Sequence, residues 1–204
     1  MRDMSQLWRT SKNWLRQWRE KYLLDFIFIH INKTAGSSIE KALGIRFRHM
    51  TARESLEALG AERWNKRFSF TFVRNPWDKV VSHYHYRVQT NKTELANRRV
   101  PFPEWVRLAY GQQDPEFHQP AKMFLPQWNW ISDQSGQCLL DFIGRYESLN
   151  KDFAEICRRL NRVSTLPHVK QSNRGRYQDY YDNTTREIVG NWFWEDISKF
   201  NYVF

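Results

Sequence analysis

Apolar residues along this chain fall into two patterns that alternate. The first is the short, nearly continuous apolar run. FIFIHI (26–31) and FSFTFV (68–73) are of this kind, and LLDFIGRY (139–146) is a third, weaker case. Runs of this length, rich in Phe, Ile and Val, predict strands buried on both faces. The second pattern is apolar spacing at three and four residues, which predicts helices. It covers about 37–43, the segment TARESLEALGAERW from Thr51, the segment after Asn75, residues 149–160, and the tail from Asn183. Thr51 and Glu54 three positions on form a capping box. Asn75 reads as an N-cap, with Pro76 at the first helical position, Asp78 in the first turn, and Trp77, Val80, Val81, Tyr84 and Val88 on one stripe. The tail carries Val189, Trp192, Phe193 and Phe200 along one side. IRFRHM (45–50) alternates and is a short strand candidate. Residues 90–137 are broken by prolines and polar residues, with one short helix expected near 103–110.

Strands that alternate with helices predict an α/β fold in three layers, a mainly parallel central sheet flanked by helices. Ligands of such sheets bind beyond the carboxyl ends of the strands. The two best strands end in HINKTAGSS and RNPWDK, so neighbouring strands would open both polar clusters on one edge. The 204 residues suit one domain over 26–204, preceded by a basic, tryptophan-bearing helical extension over 1–25. That extension packs on the domain or touches an acidic membrane surface.

Charge sharpens the picture. Lys and Arg number 32 against 22 acidic residues, a net charge of +10, which points to an anionic partner. Two cysteines supply neither a disulfide framework nor a zinc site. No run approaches the roughly 20 apolar residues of a membrane span, and the N-terminus lacks the apolar core of a secretory signal, so stable membrane insertion is not expected. Glycosylation sequons occur at Asn32, Asn91 and Asn183. A glycan at Asn32 would block the first polar cluster, and a working loop there predicts a cytoplasmic protein.

In that first cluster, Gly36 lets the backbone approach a ligand, and Ser37 and Ser38 open a helix whose N-terminus favours an anion. Thr34, Ser37 and Ser38 offer hydroxyls, Ala35 lies between them, and Lys33 adds a compact charge at the mouth. Lys33 precedes the glycine, and no G-x-x-x-x-G-K-[ST] pattern is present, so this is not an ATP-binding loop of the usual kind. In the second cluster Arg74 ends a strand and Ser82 lies two turns into the next helix, off its apolar stripe. An arginine fork suits a phosphate dianion. Two anion sites on successive strand–helix units suggest a ligand with two separated phosphates.

FIHINKTAGSSIEKAL followed by FTFVRNPWDKVVSHYHYR resembles the sulfotransferases that use 3′-phosphoadenosine 5′-phosphosulfate (PAPS), in particular the carbohydrate-type branch, family 2. IGRYESLNKDFAEICRRL and the last 39 residues, from LPHVKQS onward, extend the resemblance over about 26–204. It implies a P-loop-like sulfotransferase fold and PAPS as co-substrate without a metal. It implies that Lys33, Thr34, Ala35, Gly36, Ser37 and Ser38 bind the 5′-phosphosulfate, and that Arg74 and Ser82 bind the 3′-phosphate. The family commonly has Pro at position 32 and Asn at position 170, where this chain has Asn32 and Lys170. Ser172 and Tyr177 are expected to border the nucleotide.

A lysine at the bridging oxygen stabilises charge developing on the leaving phosphate, which gives Lys33 a catalytic role. The acceptor hydroxyl must lose a proton as it attacks sulfur. His49, after the 45–48 stretch, is the chosen base, matching a histidine between the two nucleotide loops in the carbohydrate branch. His30 reads as structural, and His83 and His85 as packing or surface residues. A glycan is the expected acceptor. Lys92, Arg98 and Arg99 would frame an acidic one, and Trp128 and Trp130 are packing residues or sugar platforms. A basic nucleotide- or nucleic-acid-binding module explains the charge but not two anion loops, and no RNP or helix-turn-helix pattern is visible. A small kinase needs a lysine at the end of its loop and carboxylates for Mg²⁺.

Overall fold

The computed structural model describes residues 23–45, 49–167 and 175–204. Most of the expected N-terminal extension, residues 46–48 of the second strand candidate, and His168, Lys170 and Ser172 lie outside them. Three parallel strands, β1 (Phe26–Ile29), β2 (Phe68–Val73) and β3 (Phe142–Arg145), form the sheet in that spatial order. Phe28 lies opposite Phe70, and Phe70 opposite Phe142.

Successive side chains of a strand point to opposite faces, so apolar runs need cover on both. Ile27, Ile29 and Val73 face one layer. There they meet Ala52 of α2 (Ala52–Leu59), Trp64 of α3 (Ala61–Asn65), Trp130 and Phe200. Phe26, Phe70 and Phe72 face the other, against Ile39 and Leu43 of α1 (Gly36–Leu43). Phe153 and Ile156 of α7 (Leu149–Arg159) complete that layer. The expected three-layer α/β architecture is what forms. A third, strongly aromatic cluster joins α4 (Pro76–Gln89) to α5 (Phe102–Val106) and α8 (Asn183–Trp192) through Trp77, Val81, Trp105, Tyr110 and Val189. Two short helices, α6 (Gln127–Ile131) and α9 (Trp194–Phe200), close the carboxyl edge of the sheet. The tail is therefore two helices rather than one, with the break at Phe193 (φ −107°, ψ 25°). Among the described residues no helix is long and apolar enough to cross a membrane.

β3 carries a glycine for a packing reason. A Cβ on Gly144 would fall 2.6 Å from the ring of Phe72, which is fully buried. Gly144→Ala is expected to cost about 1–3 kcal/mol, as overpacking does. For a chain of this size that lowers the thermal midpoint by roughly 2–12 °C. An unchanged midpoint in thermal unfolding would show that Phe72 has room the packing denies it.

Candidate active site

β1 delivers the chain to the carboxyl edge of the sheet, and a tight loop turns it into α1. Lys33 (φ 68°) and Ala35 (φ 69°) both adopt the left-handed region. Residues with a Cβ hold such angles at a cost of about 1 kcal/mol or more, and only where the surroundings impose them. Thr34 is one such constraint: its buried hydroxyl donates to the Ile31 carbonyl at 2.9 Å. That corrects one expectation. The Thr34 side chain braces the loop, and Thr34 is absent from the cavity lining that Lys33, Ala35, Gly36, Ser37 and Ser38 share. Ala35 is the N-cap of α1, and no side chain caps that helix. The Ser38 N–H already donates to the Ala35 carbonyl at 2.9 Å, so it is the start of the turn at Gly36 and Ser37, with the positive end of the helix dipole, that faces the cavity.

His30 explains the glycine. A Cβ on Gly36 would fall 2.1 Å from His30 Nε2. The His30 ring is buried beneath the loop, and its Nδ1 meets Glu40 Oε1 at 3.1 Å. Burial first, then the nearby His49 and Lys33, lower its pKa to about 3. His30 is therefore neutral at physiological pH, and the contact is a hydrogen bond from Nδ1–H to the carboxylate rather than an ion pair.

The second loop sits against the first. Arg74 Nη1 donates to the Lys33 carbonyl at 3.1 Å, Nε donates to Asp78 Oδ2 at 2.7 Å, and the guanidinium lies 3.8 Å from the centroid of the Tyr146 ring. Gln127 fixes the Arg74 backbone, accepting from its N–H at 2.9 Å and donating to its carbonyl at 2.8 Å. Gln127 is itself held by the buried Asp196, which accepts from the Gln127 and Trp128 N–H groups at 2.8 Å each. Asn75 caps α4, accepting from the Trp77 N–H at 3.1 Å.

Both loops open on one cavity of about 650 Å³, which Ser82, His49 and Tyr86 also line. The Lys33 ammonium rests 4.6 Å from the Tyr86 ring centroid. The His49 ring packs 5.2 Å from His30 and edge-on to Trp130 at 6.2 Å. Its Nδ1 lies 3.4 Å from the His30 carbonyl, a long hydrogen bond that, with Nδ1–H as donor, leaves the basic lone pair on Nε2. Desolvation lowers the His49 pKa, with Lys122 adding to it and the His30 carbonyl opposing. Among the described residues the lining holds four cationic side chains, Lys33, Arg74, Arg87 and Lys92, and no carboxylate.

Other expected residues lie elsewhere. Tyr177 packs on Phe204, and its hydroxyl accepts from Asn75 Nδ2 at 3.3 Å, outside the cavity lining. Trp128 and Trp130 are buried, as packing residues are. Arg98 is drawn away to Glu116 and lies 5.0 Å from the Phe117 ring centroid. The cavity also uses α4 residues that the sequence reading did not place in the site. His83, taken as packing or surface, is buried and lines the cavity, and His85 lines it while hydrogen-bonding the Tyr180 hydroxyl at 2.8 Å. Ser82, Tyr86 and Gln89, like His83 and Arg87, stand at helical spacing along α4. From Ser82, helical spacing finds His85, Tyr86 and Gln89, whereas His83 and Arg87 form a second row, four residues apart, that the Ser82 position does not give.

No solved structure matches the chain. A protein of Archaeoglobus fulgidus described as an uncharacterized protein is 30% identical over 92 residues, which is 45% of this chain and 65% of that protein. The model of the Sulfotransferase family matches residues 20–202, which takes in the sheet, both loops and the helices that close the cavity. On that match the chain belongs to the sulfotransferase family.

Proposed function

We propose that the protein transfers a sulfuryl group from PAPS to a hydroxyl of a carbohydrate acceptor, with His49 as general base. The observation that carries this reading is the hydrogen bond from Arg74 to the Lys33 carbonyl, which joins the two anion loops at one cavity. The opening turn of α1 and Lys33 receive the 5′-phosphosulfate, and Arg74 and Ser82 the 3′-phosphate. The uncapped helix and the excess of cationic lining fit a ligand with two anionic ends. As the acceptor oxygen bonds to sulfur, the S–O bond to the phosphate breaks, its electron pair stays on the phosphate, and the acceptor proton passes to His49 Nε2. Lys33 stabilises the charge that develops on the phosphate. The glycan acceptor rests on the likeness of the loops to the carbohydrate branch. Asn32 is buried with Nδ2 bonded to the Met123 carbonyl at 2.9 Å, so a glycan on it would be incompatible with this packing of the loop, and a cytoplasmic site of action follows if the loop is to stay bare.

The test is a thermal-shift comparison. Adenosine 3′,5′-bisphosphate without Mg²⁺ is expected to raise the midpoint, with about 2.7 kcal/mol gained at a hundredfold excess over Kd. ATP with Mg²⁺ is expected to do much less. An equal response to both overturns the reading, because one phosphate chain would then satisfy the site as well as two separated phosphates.

A further inference from the structure

We propose that Gln127 and Asp196, both outside the cavity lining, are positioning residues for the donor: acting through the Arg74 main chain, they set how tightly the site holds the 3′-phosphate. This rests on the sulfotransferase reading above and adds the residues that aim one of its contacts.

The need for them comes from where the sheet ends. β2 closes at Val73, whose register partner is Arg145, so Arg74 is the first residue beyond the ladder. The Gln127 side-chain amide takes the place of a strand there. Its Oε1 accepts from the Arg74 N–H at 2.9 Å and its Nε2 donates to the Arg74 carbonyl at 2.8 Å, the two bonds that a paired strand residue would make.

An amide has two ends of nearly the same shape, and a flipped Gln127 would set oxygen against carbonyl and N–H against N–H. Asp196 of α9 fixes the sense. Its Oδ2 accepts from Gln127 Nε2 at 3.2 Å and from the Gln127 N–H at 2.8 Å, and its Oδ1 accepts from the Trp128 N–H at 2.8 Å. Gln127 and Asp196 are both completely buried, and Lys79 of α4 is buried near enough for its charge and that of Asp196 to stabilise each other. A carboxylate taken out of water costs several kcal/mol before its partners offset it, by the usual order of magnitude, and an apolar residue would fill the space more cheaply. An apolar residue could not orient the amide.

The other end of Arg74 is held as firmly, by Asp78, the Lys33 carbonyl and the Tyr146 ring. With main chain and guanidinium both fixed, the arginine meets a phosphate without ordering itself on binding, and that cost is taken out of the affinity. Releasing the main chain returns the cost to the 3′-phosphate, because the 5′ end is received by Lys33 and the opening turn of α1.

The experiment titrates the full chain in a calorimeter with adenosine 3′,5′-bisphosphate and with adenosine 5′-phosphate. The ratio of the two dissociation constants reports the 3′-phosphate and does not depend on how much of the chain is folded. Two charge-assisted contacts from one guanidinium are expected to make the bisphosphate bind about a hundredfold more tightly to wild type. Arg74→Gln sets the floor. Gln127→Met, which fills the same space without the bonds to Arg74, is expected to lower the ratio by at least about tenfold, and Asp196→Asn, which leaves a single oxygen for the three donors, by about three- to tenfold. On the Arg74→Gln background, Gln127→Met is expected to change the ratio no further, the non-additivity of residues that act through one another. Phe153→Leu, a core change in the opposite layer, is expected to lower the thermal midpoint and leave the ratio alone. If Gln127→Met does not fold, Asp196→Asn carries the test. A wild-type ratio in either variant, or a further fall on the Arg74→Gln background, overturns the proposal and leaves the enzyme reading intact. A wild-type chain that binds both nucleotides equally removes the 3′-phosphate from Arg74, and the underlying reading fails together with this inference.

Discussion

Replacing His49 by alanine is expected to lower the turnover of sulfuryl transfer by about 10²- to 10⁴-fold, the range a positioned general base supplies, and to leave adenosine 3′,5′-bisphosphate binding unchanged. Four histidines line the cavity, and their surroundings separate them. His30 presses its Nε2 edge against Gly36 and gives Nδ1 to Glu40, so it supports the loop. His83 is buried, and its pKa is held well below the usual value by burial and by Lys79, Arg87 and Lys33, so it resists taking up a proton. His85 is tied to the Tyr180 hydroxyl. His49 is solvent-exposed, oriented through Nδ1, and carries a pKa lowered by partial burial, so it is neutral and able to accept a proton at pH 7. In wild type kcat/KM is expected to rise with pH through a value below 6.5 and then level off. That limb is expected to vanish in His49→Ala. Retained turnover with an unchanged pH profile would move the base to another residue.

The parts of this arrangement that could be read from the chain are those fixed by local rules. The apolar runs at β1 and β2 fall where expected because parallel strands covered on both faces tolerate almost no polar side chain. The capping box holds, with the Glu54 N–H donating to Thr51 Oγ1 at 3.3 Å and the Thr51 N–H to Glu54 Oε2 at 2.7 Å. Boundaries shift where side chains take over backbone partners. β1 stops at Ile29 rather than 31 because Thr34 claims the Ile31 carbonyl. β3 starts at Phe142 rather than 139. The Asp141 carboxylate accepts from both the Ser69 N–H and hydroxyl, so a side chain occupies that rung of the ladder. The helix expected near 103–110 is Phe102–Val106 continued by a wider π-type turn, Arg107–Gly111. What could not be read was the far side of the cavity. Gln127 reaches Arg74 across 53 positions and Asp196 reaches Gln127 across 69, and no periodicity encodes such pairings. Pro120 and Met123 enter the lining from the proline-broken middle segment, whose pattern predicts no element that would carry them there.

Mild acid is expected to destabilise the protein sharply, because His30 and His83 are both buried and neutral in the native state. Their pKa values lie below the ordinary 6.5, to about 3 for His30 and well below for His83. Below 6.5 the unfolded chain therefore binds more protons than the native one, and stability is lost as pH falls from 6.5 towards the native values. Each histidine withdraws at most about 1.4 kcal/mol per pH unit, so between pH 6.5 and 5 His30 alone removes roughly 1.5–2 kcal/mol, and His83 adds to the loss in the same direction. That is a large share of the 5–15 kcal/mol of a typical domain. Asp196 acts the other way, since burial raises its pKa and its contribution grows as pH falls. It offsets part of the loss but is one group against two. Lys79, fully buried with a pKa pushed down to about 8, adds stability as pH rises from 8 towards 10.5, outside the acid window. Urea unfolding at pH 8, 7, 6 and 5, followed by circular dichroism, is expected to show midpoints that fall steeply below 6.5. His30→Gln with His83→Gln is expected to flatten the decline, whatever it does to the absolute midpoint. A wild-type midpoint constant from pH 7 to 5 would mean that these rings take up protons in the folded state. The cavity wall would then be wetter, and less selective for anions, than their burial implies.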